Sequence, residues 1–305
     1  MDSLYTISGK NVKKAESTFS VAGASNVLRK TPSNRWAKEN KAKDGQKTYM
    51  ILFFEFFIFV LGAVVGSFLN VIIHRLPEEK SIVFPASHCP KCRHAIRLYD
   101  NIPLISYLIL KGRCRDCSEA ISLRYPLVEL LTAILSLLTF WKFGLSIQYL
   151  CAFTFVCSLI AITFIDLDHQ IIPDVISLPG IPIFFLAAVF VMDLRILDAF
   201  LGFLIGGGVL YSIASIYELV TKREGMGGGD IKLLGMIGAF LGWQSLLFVL
   251  LISSFAGAAV GITLMIIKGR DMKYAVPFGP FLSLGAVVYL FFGARLLNLF
   301  LSLRL

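Results

Sequence analysis

Six residues of this 305-residue chain stand out by type and spacing. Four are cysteines, arranged as Cys89-Pro90-Lys91-Cys92 and, after twenty-one intervening residues, Cys114-Arg115-Asp116-Cys117. Two such Cys-x-x-Cys knuckles can bring four thiolates to about 2.3 Å from one tetrahedral zinc ion, in a compartment where thiols stay reduced. A closed four-sulfur sphere leaves no position for water, so the expected zinc is structural and folds a loop that lacks a core of its own. Disulfides are the competing reading, and they require an oxidising compartment. Cys151 and Cys157 lie in an apolar run and read as small packing residues.

The other two are carboxylates. Asp166 opens the block that runs through Asp168, His169 and Pro173 to Asp174, and Asp230 closes Gly227-Gly228-Gly229-Asp230. Two carboxylates sharing a site cannot both ionise easily, so one keeps a proton while the other acts as base. Together they can hold a water and polarise a peptide carbonyl, which is aspartic-peptidase chemistry without a covalent intermediate. A plainer reading stands beside it. An Asp at a helix start caps the helix and complements its dipole, so Asp230 equally reads as a cap, Asp174 as an N-cap, and Asp168 as a solvated loop residue.

The elements that must position these groups follow from composition. The chain is 56% apolar with only 16% charged residues and 26 Phe, far below the ~25% charged residues of ordinary globular proteins. With a mean hydropathy of +0.75 it reads as an integral membrane protein, and its net charge of +9 then concerns topology rather than nucleic acid. Apolar stretches near 50–73, 125–141, 147–165, 175–193, 198–219, 231–243, 245–267 and 276–297 give an all-α polytopic fold of about eight transmembrane helices. The sixth is short, but Leu233–Ile267 is one charge-free run too long for a single helix, and Gly242-Trp243-Gln244 is the expected turn dividing it. Continuous apolar runs exclude a β-barrel, whose strands alternate.

Lys/Arg placement orients the spans. The loop 74–124 carries nine, Lys222, Arg223 and Lys232 precede or open the sixth span, and Lys268, Arg270 and Lys273 follow the seventh. These fifteen share one face, expected to be cytoplasmic, against Lys142, Arg195, Arg295 and Arg304 on the other. Between Asp166 and Asp230 the chain crosses twice, so both return to the cytoplasmic face. Residues 1–49 hold ten Lys/Arg against four acids, and exporting them would contradict the charge rule. They are expected to be a basic polar extension, disordered or a non-native leader, with the working protein starting at Met50. The expected organisation is thus 1–49 extension, 50–73 first span, 74–124 zinc-binding loop, and 125–305 a transmembrane peptidase domain.

Several motifs occur in one order. They are Gly66-Ser67-Phe68-Leu69-Asn70-Val71, His74-Arg75-Leu76-Pro77, the paired knuckles, Asn101-Ile102-Pro103, Gly112-Arg113-Cys114, Arg124 to Glu129, Ile165-Asp166 to Pro173-Asp174, and Gly227 to Asp230. From about Met50 onward the chain resembles the type IV prepilin peptidases. The resemblance implies a bifunctional enzyme of the bacterial inner membrane. Such enzymes cleave the short basic leader of prepilins and pseudopilins after a Gly at the cytoplasmic face, then N-methylate the new N-terminal residue with S-adenosylmethionine. It implies Asp166 and Asp230 as the peptidase pair, with Asp168 less favoured because family members vary there, and it associates the knuckles and Gly112-Arg113 with methyl transfer. No glycine-rich Rossmann fingerprint is present.

Glu78, Glu79, Asp168 and Asp174 are expected to receive the basic leader, and Gly227 to Gly229 to give Asp230 a flexible approach to Asp166. Two other function classes remain in view. A proton-coupled transporter would use Asp166 and Asp230 as relays near mid-span, and a non-catalytic zinc-bearing scaffold would tolerate their loss.

Overall fold

The structure, a computed structural model, describes residues 33–222, 227–268 and 276–302. Most of the extension expected over 1–49 lies outside the described residues, as do Arg223, Arg270, Lys273 and Arg304 among the orienting cations. The chain divides into two compact units, Met1–Met50 and Ile51–Leu305.

Helices make up about three quarters of the described residues. In chain order they are α1 (Ser33–Arg75), α2 (Ile105–Ile109), α3 (Arg124–Phe143), α4 (Ile147–His169), α5 (Asp174–Phe190), α6 (Ile196–Thr221), α7 (Gly228–Leu241), α8 (Trp243–Lys268) and α9 (Gly279–Ser302). Among the described residues there is no β-strand, only the isolated bridges His88–Ala95 and Arg113–Ala120. The turn expected at Gly242 is present: that residue has φ +81°, a conformation suited to glycine, and it separates α7 from α8.

Each of the eight apolar stretches is largely helical, but among the described residues six helices are long and apolar enough to cross a membrane, Tyr49–Arg75 within α1, then α3, α4, α6, α8 and α9, so the count of eight is not confirmed. α5 has 17 residues and contains Pro179 and Pro182, and α7 has 14. At 1.5 Å per residue α7 is about 21 Å long, short of the ~30 Å hydrocarbon layer. Its apolar composition has another cause. Leu233, Leu234, Met236, Ile237 and Ala239 are fully buried, and the helix packs against α5, α6, α8 and α9. Uninterrupted apolar sequence thus reports burial, in protein as readily as in lipid.

Small residues let these helices approach closely. A Cβ on Gly202 of α6 would lie 2.1 Å from the carbonyl oxygen of Gly238 in α7, and a Cβ on Gly238 would lie 2.1 Å from that of Gly202. One turn along, a Cβ on Gly206 would lie 2.6 Å from the Leu234 carbonyl. α1 uses the same four-residue spacing, with Gly62 against Ala133 and Ser136, and Gly66 against Glu129 and Thr132 of α3. Between α4, α5 and α7 the rings of Phe155, Phe184 and Phe240 interlock, with centroids 4.4 to 5.5 Å apart. The helices that carry Asp166 and Asp230 thus meet through the Phe155 and Phe240 rings.

Candidate active site and metal centre

The two cysteine knuckles are local copies of one turn. In the first, Cys89 N–H donates to the His94 carbonyl at 2.9 Å and Arg93 N–H to the Cys89 carbonyl at 2.9 Å; in the second, Cys114 N–H donates to the Glu119 carbonyl at 2.8 Å and Ser118 N–H to that of Cys114 at 2.9 Å. Arg93 and Ser118 hold equivalent places just after each second cysteine, at φ +58° and +56°. The Cys89 and Cys117 sulfurs are 3.8 Å apart, those of Cys92 and Cys114 are 4.0 Å apart, and all four lie within 4.8 Å of one another. Four sulfurs at about 2.3 Å from one tetrahedral ion stand about 3.8 Å apart, so the cluster fits such a metal. The backbone N–H groups of Cys92 and Lys91 bring the Cys89 thiol down to about 6, favouring the thiolate that binds metal. All four cysteines are free of disulfides.

Ion pairs tie the second knuckle to the first and to the turn that follows it. Lys91 of the first pairs with Glu119 of the second, and Arg115 grips Asp100 through Nε–Oδ2 at 2.8 Å and Nη2–Oδ1 at 2.6 Å. This guanidinium holds the Asp100 carboxyl below the usual range. Gly112 makes the turn between α2 and the second knuckle at φ +67°, where a Cβ would meet the Tyr107 hydroxyl oxygen at 2.7 Å. Its identity thus has a local structural cause. Arg113 is exposed on a shallow cleft of about 480 Å³ shared with Lys111, Arg115 and Ser118.

The carboxylates occupy a different place. Asp166 is buried in the last turn of α4, and Asp230 is half-buried in the first turn of α7. Sixty-four residues apart in sequence, they line one cleft of about 330 Å³ with Gln170, Ile172, Asp174, Gly227 to Gly229 and Lys232. Asp230 does not cap α7: the N-cap is Gly227 and no side chain caps it. Nor does Asp174 cap α5, whose N-cap is Pro173; the Asp174 carboxylate accepts from Lys232 Nζ at 2.7 Å. Gly112 and Arg113 are not brought to the carboxylates: Arg113 lines the other cleft, and Gly112 stands beside it in the chain.

Three residues that hold the surroundings of the two carboxylates had no such role read for them in the sequence. Gly279, first residue of α9, donates its backbone N–H to Asp166 Oδ2 at 3.0 Å. Its setting, Pro277-Phe278-Gly279-Pro280 before the last apolar run, is a turn signal that could have marked it. Ile172 packs against two glycines, since a Cβ on Gly229 would lie 2.8 Å from the Ile172 Cβ and one on Gly279 would lie 3.3 Å from its Cδ1. Arg124, at the start of α3, pairs with Asp168, donates to the Phe164 carbonyl at 2.8 Å and lies over the Phe164 ring, clasping the turn that bears Asp166. The three glycines before Asp230 have unequal surroundings. A Cβ on Gly227 or Gly228 would meet nothing within 4 Å, and only Gly229 is held in close contact.

Two family models match the chain in order: the bacterial peptidase A24 N-terminal domain over residues 60–143, which contains the four-cysteine cluster, and the type IV leader peptidase family over residues 153–262, which contains Asp166 and Asp230. Curated relatives named prepilin leader peptidase/N-methyltransferase are similar over most of their length. One from Pseudomonas putida is 40% identical over 256 residues, covering 77% of this chain and 89% of the relative. Another from Pseudomonas aeruginosa is 40% identical over 266 residues, covering 80% and 92%. A third from Legionella pneumophila is 37% identical over 270 residues, covering 80% and 93%. No solved structure matches the chain. With both matched regions enclosing the two residue clusters built above, the chain belongs to the type IV leader peptidase family.

Proposed function

We propose that this membrane enzyme removes the leader of prepilins or pseudopilins after a glycine, at the cytoplasmic face of the bacterial inner membrane, and then N-methylates the new N-terminal residue. The observation that carries the peptidase reading is the shared cleft of Asp166 and Asp230 at the ends of α4 and α7. Acids at helix ends suit a hydrolase that meets its substrate at the membrane surface better than a relay at mid-span.

Asp166 and Asp230 hold one water between them. The ionised carboxylate takes a proton from that water as its oxygen attacks the scissile carbonyl carbon, and the protonated carboxyl gives its proton to the carbonyl oxygen. The tetrahedral diol then collapses: one diol hydroxyl gives its proton to the carboxylate that had donated one, and the C–N bond breaks as the nitrogen receives the proton that the other carboxyl took from water, leaving a leader carboxylate and a free amine. No acyl-enzyme forms.

A structural zinc on Cys89, Cys92, Cys114 and Cys117 would hold the two knuckles together. S-adenosylmethionine, when bound, supplies the methyl group; the exposed Arg113 and the cleft beside it are the region we associate with that step. Leader binding by acids requires exchange, because Asp168 already pairs with Arg124, Asp174 with Lys232 and Glu78 with Lys80. Reversing those acids should slow processing, and unchanged kinetics on a basic-leader substrate would overturn the leader assignment.

The deciding experiment compares Asp166→Asn and Asp230→Asn with the parent enzyme on a purified prepilin. Each variant is expected to leave the leader uncut while still methylating a pre-cleaved substrate. Leader removal by both would sink the peptidase pair. Metal analysis is expected to return about one zinc per chain, the stoichiometry of a four-sulfur site.

A further inference from the structure

We propose that α2 is an interfacial helix, with Ile105, Leu108 and Ile109 set into the boundary of the lipid bilayer and Lys111 at the phosphates of anionic lipids. The metal-bearing loop is then docked on the membrane rather than suspended above it.

α2 is two-sided. Its inner side folds the loop: Ser106 is buried, its Oγ donates to the Tyr99 carbonyl at 2.9 Å and accepts from Ile102 N–H at 3.1 Å, and Tyr107 closes over Gly112. Its outer side is apolar and open, with Ile105 53%, Leu108 74% and Ile109 69% exposed. Single exposed apolar residues are ordinary, but three on one face of a single turn need an apolar neighbour.

The depth of α2 identifies that neighbour. Leu104 N–H donates to Glu129 Oε2 at 2.8 Å, across twenty-five residues of chain. Glu129 lies five residues into α3, about 7.5 Å along the helix axis from Arg124. At that level α3 turns Leu127, Leu130 and Leu131 outward, the face a membrane-spanning helix presents to lipid. α2 therefore begins beside lipid-facing turns of a span. Leu104 adopts φ +61°, a strained conformation for leucine, to make this approach.

Charge completes the match. Lys111 follows α2 closely and forms no ion pair among the described residues, whereas Arg115 is committed to Asp100. An apolar turn bordered by an uncommitted cation is suited to the boundary between acyl chains and anionic headgroups. A basic leader peptide has the wrong charge for this surface.

The test uses the full chain with p-benzoylphenylalanine in place of Leu108, reconstituted in phosphatidylcholine vesicles with and without phosphatidylglycerol and irradiated. Mass spectrometry of the peptide holding position 108 is expected to find lipid adducts, several-fold more abundant with phosphatidylglycerol. Adducts only to protein, or none, would overturn the interfacial placement, and equal yields in both vesicles would overturn the anionic-headgroup assignment. Should the probe prevent metal binding, a Leu108→Trp chain decides. Its added emission, read against the parent with Trp36, Trp141 and Trp243, is quenched several-fold by brominated-acyl lipid if α2 is interfacial and is unaffected if it faces water.

Discussion

Gly279 and Asp166, 113 residues apart, meet through a backbone hydrogen bond: the N–H at the start of α9 donates to Asp166 Oδ2 at 3.0 Å. Asp166 lies in the last turn of α4, where unpaired carbonyls make a poor setting for a carboxylate. The N-terminus of α9 supplies the compensating N–H and dipole end. A side chain at 279 would destroy this arrangement, since a Cβ there would sit 2.6 Å from Oδ2.

Gly279→Ala is therefore expected to lower the leader-cleavage kcat by about 100-fold, the scale of an ångström-sized displacement of a reacting group, with little change in KM. Methylation of a pre-cleaved substrate by the same preparation checks that the variant is folded. Normal cleavage by Gly279→Ala alongside inactive Asp166→Asn would show that the contact does not position the carboxylate.

The triglycine should respond unevenly. Gly229→Ala drives a Cβ to 2.8 Å from that of Ile172 and should shift the first turn of α7, slowing cleavage at least tenfold, while Gly228→Ala meets nothing within 4 Å and should stay close to the parent. Initial rates on one prepilin substrate measure both. Equal losses would mean that the glycines act through chain flexibility instead.

Gly202→Ala should destabilise the membrane domain, because its Cβ would collide with the Gly238 carbonyl at 2.1 Å. Overpacking of this kind costs about 1–3 kcal/mol. Thermal unfolding in detergent should show a lower midpoint, whereas Gly208→Ala, with nothing within 4 Å, should leave it unmoved.

The metal loop should carry a pH signature through Asp100. Arg115 depresses the Asp100 carboxyl, so their pairing stabilises the fold above the ordinary carboxylate range and that contribution is lost as pH falls through the depressed folded value. Asp100→Asn should release metal to a chelator faster than the parent at pH 7, and the gap should narrow as the solution is acidified into the carboxylate range. A gap independent of pH would assign the effect to packing.

What the sequence made legible were features that repeat or run unbroken. The paired knuckles gave the four-cysteine cluster because four cysteines at that spacing have few other uses, and the apolar runs gave the helices long enough to span a membrane among the described residues. The count of crossings was not legible, because α7 owes its apolar residues to neighbouring helices rather than lipid. Asp166 and Asp230 could be singled out as charges beside spans, but the partners around them could not. Gly279 acts through a backbone N–H and Ile172 through its shape; the turn signal around Gly279 marks a turn but not the carboxylate it serves. Arg124 looked like one more topology-setting cation until its contacts to Phe164 and Asp168 were visible.

The brevity of α7 has a consequence for hydrolysis itself. A helix of about 21 Å cannot fill a layer of ~30 Å, and the shortfall has to be taken up at its ends. At the Asp230 end the protein leaves a cleft open beside Gly227 and Gly228. If the proposed pair cuts the leader there, water, the second reactant, has a way to a bond that belongs to a greasy substrate, and the substrate need not leave the bilayer to be cut. On that proposal the meeting of an apolar chain with a polar reagent is solved by a helix too short for the layer.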